Sequence, residues 1–385
     1  MTDIADKPKV GLILAGGGAR AAYQVGVLKA VAEMLPSDCP NPFPILSGTS
    51  AGAINATTLA IYATRFHEGV RRLVRVWQNF HVDQVFRADV PGVLANGLRW
   101  FVAMVAAGLG RRNPHALLDR TPLRGLLYRT MPFAKIQESI NAGALHALSV
   151  TASGYSSGQS VSFFQGAPSL TMWKRARRVG SVATITLDHL MASSAIPFVF
   201  AAVKINREYF GDGSMRQMAP ISSALHLGAD RVLVVGVRQE DTSAMVRGET
   251  AEYPSIAQIA GHVLNSIFLD SLEADLERLQ RINKTIRLIP AHHLRESGVT
   301  LRNVDVLVIS PSEDLEKIAA RHAHHLPWSI RFLLRGLGAF NRNGSNLISY
   351  LLFEKPYCRE LIDLGYHDAM HRREEILRFL ETSSA

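Results

Sequence analysis

Two stretches near the start of the chain share one pattern: an unbroken apolar run, a glycine-rich break, then apolar positions at helical spacing. In KVGLILAGGGARAAYQVGVLKAVAEML the run is Val10–Leu14, and Tyr23, Val27, Ala30, Val31 and Met34 follow the glycines at a helical period. FPILSGTSAGAINATTLAIYA repeats the layout, with a strand over 44–47, a turn, and a helix from about Ala51. Two strand-loop-helix units in succession predict a parallel sheet covered by helices, since crossover helices lie on the faces of such a sheet.

Beyond residue 67 the pattern reads as helical and loop-rich to about residue 143. Strand-like runs follow in ALHALSVTASGY, SVSFFQ, EYFGDGS and DRVLVVGVR. EDTSAMVRGETAEYPS, the most polar stretch, predicts a surface loop over 240–255, and a long helical pattern runs from about Ile256 to Ile282. TIRLIP and VDVLVISPSED are expected to form the last strands, and the signal from Leu315 onward is helical. The simplest partition is one α/β domain over 9–314 with a helical C-terminal extension, 315–385, packed on it.

Composition narrows the class. With 47% hydrophobic and 19% charged residues over 385 positions, the chain has a sizeable core and is not disordered. Two cysteines, Cys39 and Cys358, make no disulfide framework and no metal-ligand spacing, which fits reduced thiols and a cytoplasmic setting. MTDIADKPKV has no apolar run of the kind a secretory signal needs. No stretch supplies the roughly 20 apolar residues of a spanning helix. A net charge of +9 favours polyanions, either nucleic acid or anionic lipid, and no zinc-finger spacing or aromatic nucleic-acid motif supports the former. The densest basic cluster, KRARR at Lys174 to Arg178, reads as a solvated face before it reads as a phosphate site.

The two glycine breaks carry the chemistry. In AGGGAR, glycines allow close approach of backbone N–H groups, and those at a helix start have no partner within the helix. They suit an anion. A dinucleotide would match Gly16-x-Gly18-x-x-Ala21, yet the second strand ends in LSGTSAG with no acidic residue to hold a ribose. A triphosphate loop would need Gly-Lys-Ser/Thr, which is absent. The remaining anion is the oxyanion formed when an ester carbonyl is attacked, where each donor supplies ~3 to 4 kcal/mol. GTSAG then places Ser50 in Gly-x-Ser-x-Gly between a strand and a helix, the context of a nucleophile elbow. Its base is either a histidine or a carboxylate. His262, His292, His293, His322, His324 and His325 are late candidates, none in a strand-end loop beside an acid. Asp212 in FGDGS follows a strand-like run and precedes a glycine turn, and an aspartate acts as base when loss of water raises its proton affinity.

GGGARAAYQVGVL, GTSAGAINA, ASSAIPFVF and DGS after a strand, in this order, resemble the patatin-like phospholipase family over about residues 9–311. The resemblance implies a three-layer α/β fold with a mostly parallel central sheet flanked by helices. It also implies a serine–aspartate dyad that hydrolyses acyl esters of lipids, phospholipids or lysophospholipids, with neither metal nor cofactor. Carried over, Ser50 is the nucleophile and Asp212 the general base. Gly16, Gly17 and Gly18 form the oxyanion hole, and Arg20 holds anionic groups of the substrate. The chain departs from the family pattern at Ala21 and Ser214, where glycine, or glycine and alanine, are frequent; neither change removes a catalytic atom. A Ser-His-Asp hydrolase of other esters and a non-catalytic lipid-binding protein are the alternatives.

An enzyme of this kind must draw lipid from a membrane. Over 91–112, Leu94, Leu98, Phe101, Val105 and Leu109 share one helical face, extended by Trp100 and Met104 and flanked by arginines. That face suits peripheral membrane contact, and equally a core helix or a dimer contact.

Overall fold

The computed structural model describes residues 8–88, 116–239, 256–268, 270–290, 293, 302–336, 338–340 and 345–381. The stretches 91–112 and 240–255, expected as a docking helix and a polar loop, lie outside the described residues.

A single ten-stranded sheet organises the molecule. Its parallel centre is built from β1 (Val10–Leu14), β2 (Ile45–Thr49), β3 (Ala147–Gly154), β9 (Arg231–Val235) and β10 (Asp305–Ile309), in the spatial order β10-β9-β1-β2-β3. β1, β2 and β3 are buried along their whole length, which explains why each reads as a near-continuous run without polar alternation. Antiparallel pairing begins at β3, which takes β4 (Ser160–Gly166) on one side. β5 (Trp173–Arg175) and β6 (Arg178–Val182) extend that edge, and the basic cluster Lys174 to Arg178 forms their largely exposed turn. The hairpin of β7 (Val203–Ile205) and β8 (Glu208–Asp212) joins β3 through β8. The fold is thus α/β and three-layered, with a mostly parallel sheet between helices.

Side chains alternate between the two faces of the sheet. Leu12, Leu14, Leu46 and Val150 enter the larger apolar cluster. It is completed by α1 (Ala22–Met34), α2 (Ala51–Ile61), α3 (Phe66–Trp77), α4 (Thr121–Thr130), α5 (Ala134–Asn141) and α6 (Leu187–Ser193). Ile13, Ile45, Val232 and Val234 enter the smaller cluster, beneath α7 (Ile221–His226) and α9 (Asp270–Arg287). Helix α8 (Ile256–Phe268) precedes α9. Thr285 to Pro290 is not a strand. Helix α9 runs through Arg287, because Leu272, Leu276 and Leu279 keep a helical stripe in the cluster under the sheet and Ile286 is buried one further step along, while Leu288 is left exposed.

The C-terminal extension comprises α10 (Leu315–His322), α11 (Trp328–Gly336), α12 (Ser345–Leu351), α13 (Lys355–His371) and α14 (Arg373–Glu381). Its apolar residues belong to the larger cluster, so no gap in packing marks residue 315. Helix α13 crosses α1 with backbones in contact. A Cβ on Gly26 would lie 2.0 Å from the Ile362 carbonyl oxygen, and one on Gly365 would lie 2.2 Å from that of Tyr23. Gly26→Ala must therefore push the helices apart and is expected to destabilise by about 1–3 kcal/mol. Gly125→Ala, in α4, meets only the end of Arg129 at 3.5 Å and is expected to gain up to about 1 kcal/mol in helix propensity. Thermal melts of the two variants should shift in opposite directions. Among the described residues, no helix is long and apolar enough to cross a membrane.

Candidate active site

The parallel strands deliver the two glycine motifs to one edge of the sheet. β1 and β2 pair in parallel, Leu14 opposite Gly48, so the loops that follow them emerge side by side. After β2 the chain turns sharply into α2 at Ser50, with φ 53° and ψ −127°. A positive φ on a residue with a Cβ stores ~1–3 kcal/mol of strain. The bend is packed tightly: a Cβ on Gly52 would lie 2.2 Å from the Leu14 carbonyl oxygen, so only glycine lets α2 start this close to β1.

Asp212 reaches the same place by strand register. β3 has β4 along one side, pairing as far as Ser153 with Ser160. On its other side β2 pairs up to Thr49 with Thr151, and β8 then takes over with Asp212 opposite Ala152. The ends of β2 and β8 therefore meet head-on in one lane beside β3. Ser50 and Asp212 are the residues at which the two strands leave that lane. Residues 162 positions apart in the chain become neighbours through the register of a third strand.

One segment holds both turns. Ser193, at the end of α6, accepts a hydrogen bond from Ser50 N–H at 2.9 Å and donates its hydroxyl to the Thr151 carbonyl at 2.6 Å. Two residues on, the Ala195 carbonyl accepts from Asp212 N–H at 2.9 Å. Arg120, buried at the start of α4, ties that segment down by donating to the carbonyls of Met191 and Ala201 and to Ser194 Oγ. Burial pulls the Arg120 pKa down to about 10, with Asp212 opposing the fall, so it stays a cation at neutral pH.

The Asp212 carboxylate is fully buried. Oδ1 accepts from Ser214 N–H at 2.9 Å, while Oδ2 accepts no hydrogen bond of ordinary geometry among the described residues. Burial pushes its pKa up to about 6. The Ser50 hydroxyl, the Ser214 N–H and hydroxyl, and Arg120 pull the other way. Ser50 thus lies near enough to favour the ionised carboxylate.

The glycine loop is set against this pair by buried polar contacts. Gln24 donates to the Ala15 carbonyl at 2.7 Å, Asn55 on α2 donates to Gln24 Oε1 at 3.0 Å, and Trp77 Nε1 donates to Asn55 Oδ1 at 2.9 Å. Gly17 and Gly18 open a helical turn at Gly18–Ala21, with Gly18 at φ 55°. The first N–H groups of such a turn lack partners within it. Gly18 and Ser50 both line a cavity of about 350 Å³, otherwise walled mainly by apolar side chains of α2, α3 and α4. Gly16 and Gly17 are not among its lining residues, nor is any histidine. His322 is engaged with Glu360 on the C-terminal helices, and His262 is exposed.

A sequence model of the patatin-like phospholipase family matches residues 12–225. The chain belongs to the patatin-like phospholipase family. Membership brings hydrolase activity on lipids in general, and the matched span holds both glycine motifs, Ser193 and Asp212. No curated protein matches the chain. Among solved structures, VipD from Legionella pneumophila is similar at 11% identity and a TM-score of 0.36, over 96% of this chain and 67% of that one. The type III effector protein ExoU is similar at 15% identity and a TM-score of 0.26, over 97% of this chain and 80% of that one.

Arg20 departs from the expectation for a substrate-binding arginine. Its side chain is 2% exposed and points away from the cavity into the C-terminal extension. Nε donates to Ser349 Oγ at 2.8 Å, and Nη2 to Asn346 Oδ1 at 2.8 Å and Glu316 at 3.3 Å, with the guanidinium over the Tyr350 ring. A buried guanidinium needs such partners, and here Nε and Nη2 find theirs in the extension. Arg20 fastens the glycine loop to α12. The sequence reading also missed Arg120, the clamping role of Ser193 and Ala195, and Phe353, which reaches the cavity from the extension. For Ser193 and Ala195 a signal was present, since ASSAIPFVF was already one of the motifs that set the family resemblance.

Proposed function

We propose that this patatin-like phospholipase is a serine esterase of acyl lipids that works through Ser50 and Asp212. The reading is supported by a fully buried Asp212 carboxylate with one oxygen unpartnered among the described residues, and by a Ser50 that favours its ionised form and lines the head of an apolar cavity. Asp212 takes the Ser50 proton as Oγ attacks the ester carbonyl. The N–H groups of the Gly16–Gly18 loop stabilise the oxyanion, with Gly18 nearest the cavity. The protonated Asp212 then gives its proton to the departing alcohol, leaving an acyl-serine. Water, deprotonated by the same carboxylate, attacks the acyl carbon, and Asp212 returns that proton to Ser50 Oγ as the acyl–oxygen bond breaks and the fatty acid leaves. The start of α2 adds its positive dipole to the region of Ser50 Oγ.

The substrate is a phospholipid or lysophospholipid, taken at a membrane surface by a peripheral, cytoplasmic enzyme with unpaired cysteines. Residues 9–314 form its hydrolase domain. The extension over 315–385 is packed on that domain and contributes Phe353 to the substrate cavity. A fluorophosphonate probe is expected to label Ser50 alone, with labelling abolished in Ser50→Ala. Vesicle binding without labelling would instead make the chain a lipid carrier.

A further inference from the structure

Three helical stripes wall the cavity. From α2 come Ala51, Ile54 and Thr58, with Tyr62 just beyond its end. From α3 and the residue after its C-terminal turn come Leu73, Val76, Trp77 and Phe80, and from α4 Leu123, Leu126, Leu127 and Thr130. Helix α3 runs antiparallel to α2, since Trp77 meets Asn55 near the start of α2 while Arg72 stacks on Tyr62 at its end, 4.7 Å from the ring centre. Helix α4 begins beside the Ser194 segment and ends at Thr130. The space is therefore a channel that starts at Ser50 and follows α2.

Helix α2 shows this in its burial. Along Ala51–Ile61 every residue is buried except Ile54 and Thr58, which line the channel one turn apart beyond the buried Ala51. Thr58 donates its hydroxyl to the Ile54 carbonyl at 3.0 Å, so the polar part of its side chain is already satisfied by its own helix. At the far end Arg72, stacked on Tyr62, and Arg129, near the end of α4, join the lining, and the apolar wall gives way to charge. From Ser50 to Tyr62 the helix advances ~18 Å at ~1.5 Å per residue. An extended alkyl chain advances about 1.25 Å per carbon, so about 14 carbons reach the arginines.

We propose that this channel measures the acyl chain, with Ile54, Thr58 and Tyr62 as its graduations and acyl groups of about 14 carbons as the preferred substrates. The inference rests on Ser50 being the nucleophile. Each methylene that enters the apolar part raises kcat/KM roughly fourfold, and carbons beyond the arginines add nothing. Ile54 lies ~6 Å and Thr58 ~12 Å past Ser50 along α2, which corresponds to about 5 and about 10 carbons.

The test is the chain-length profile of kcat/KM on p-nitrophenyl esters from acetyl to stearoyl, for wild type, Thr58→Trp and Ile54→Trp, with each variant's fold checked by thermal melt. The optimum is expected near 14 carbons in wild type, no longer than about 10 in Thr58→Trp and no longer than about 5 in Ile54→Trp. Coincident optima, or a reversed order, would overturn the ruler. Should either tryptophan variant fail to fold, Thr58→Leu and Ile54→Phe must still shorten the optimum in the same order, and an unmoved optimum rejects the proposal. A wild type that hydrolyses esters with a flat length profile sinks the ruler alone. A wild type that hydrolyses none and takes no label at Ser50 sinks the nucleophile reading beneath it.

Discussion

Ser50→Ala is expected to lower kcat on any acyl ester by ~10⁴-fold or more while leaving the protein folded. The loss is this large because, among the described residues, no other group lining the head of the channel replaces an attacking oxygen: Ser194 lines the cavity, but its hydroxyl is donated to the Leu190 carbonyl at 2.8 Å. Ser50→Gly separates chemistry from backbone strain. Alanine at position 50 keeps a Cβ at φ 53°, whereas glycine adopts that conformation freely. Both variants should be inactive, but Ser50→Gly should be about 1 kcal/mol more stable than Ser50→Ala, read as a difference in denaturant midpoint. Equal stability would mean that the turn is relaxed and that no strain is stored at Ser50. Residual turnover within tenfold of wild type in either variant would remove Ser50 from the chemistry.

The strain is visible only in the folded chain, and this marks the border between what local pattern reveals and what it does not. The strand at Val10–Leu14, the helix starting at Ala51 and the glycine breaks between them were legible because each depends on residues within one or two turns of one another. So was Asp212 as a candidate, because a strand ending in Asp-Gly is a local signature. The meeting of β2 and β8 in one lane was not legible, since it depends on the register of β3 with partners distant in sequence. Short strands such as β5 and β7, three residues each, offer too few positions for alternation to be seen. TIRLIP misled for the converse reason: a six-residue run with Ile286, Leu288 and Ile289 suits a strand as well as a helix end, and the stripe from Leu272 decides it. Arg20 misled because its position after the glycine loop suggested a role in substrate binding, while its partners come from residues 316, 346 and 349.

Asp212→Asn should reduce kcat/KM roughly 10³- to 10⁴-fold, and it should also make the protein more stable, by an amount that depends on pH. Burial raises the folded-state pKa of Asp212 to about 6, above its ordinary 3.8. The folded chain therefore holds this proton more tightly than the unfolded chain does. The stabilisation that the neutral carboxyl provides is complete below about pH 4 and is lost as pH rises through 6, so ionised Asp212 costs about 3 kcal/mol at neutral pH. Asparagine resembles the neutral carboxyl at every pH. The melting temperatures of wild type and Asp212→Asn should thus nearly coincide at pH 4 and diverge between pH 4 and 7, with the variant higher. The activity of wild type should follow the same titration with the opposite sense: kcat/KM rises with pH through about 6 and then levels, because in the proposed mechanism only the carboxylate accepts the Ser50 proton. The two curves cross because one group is asked for two things, a neutral form for packing and a charged form for catalysis. A variant that is inactive but gains no stability above pH 6 would place the titrating group of the pH profile somewhere other than Asp212.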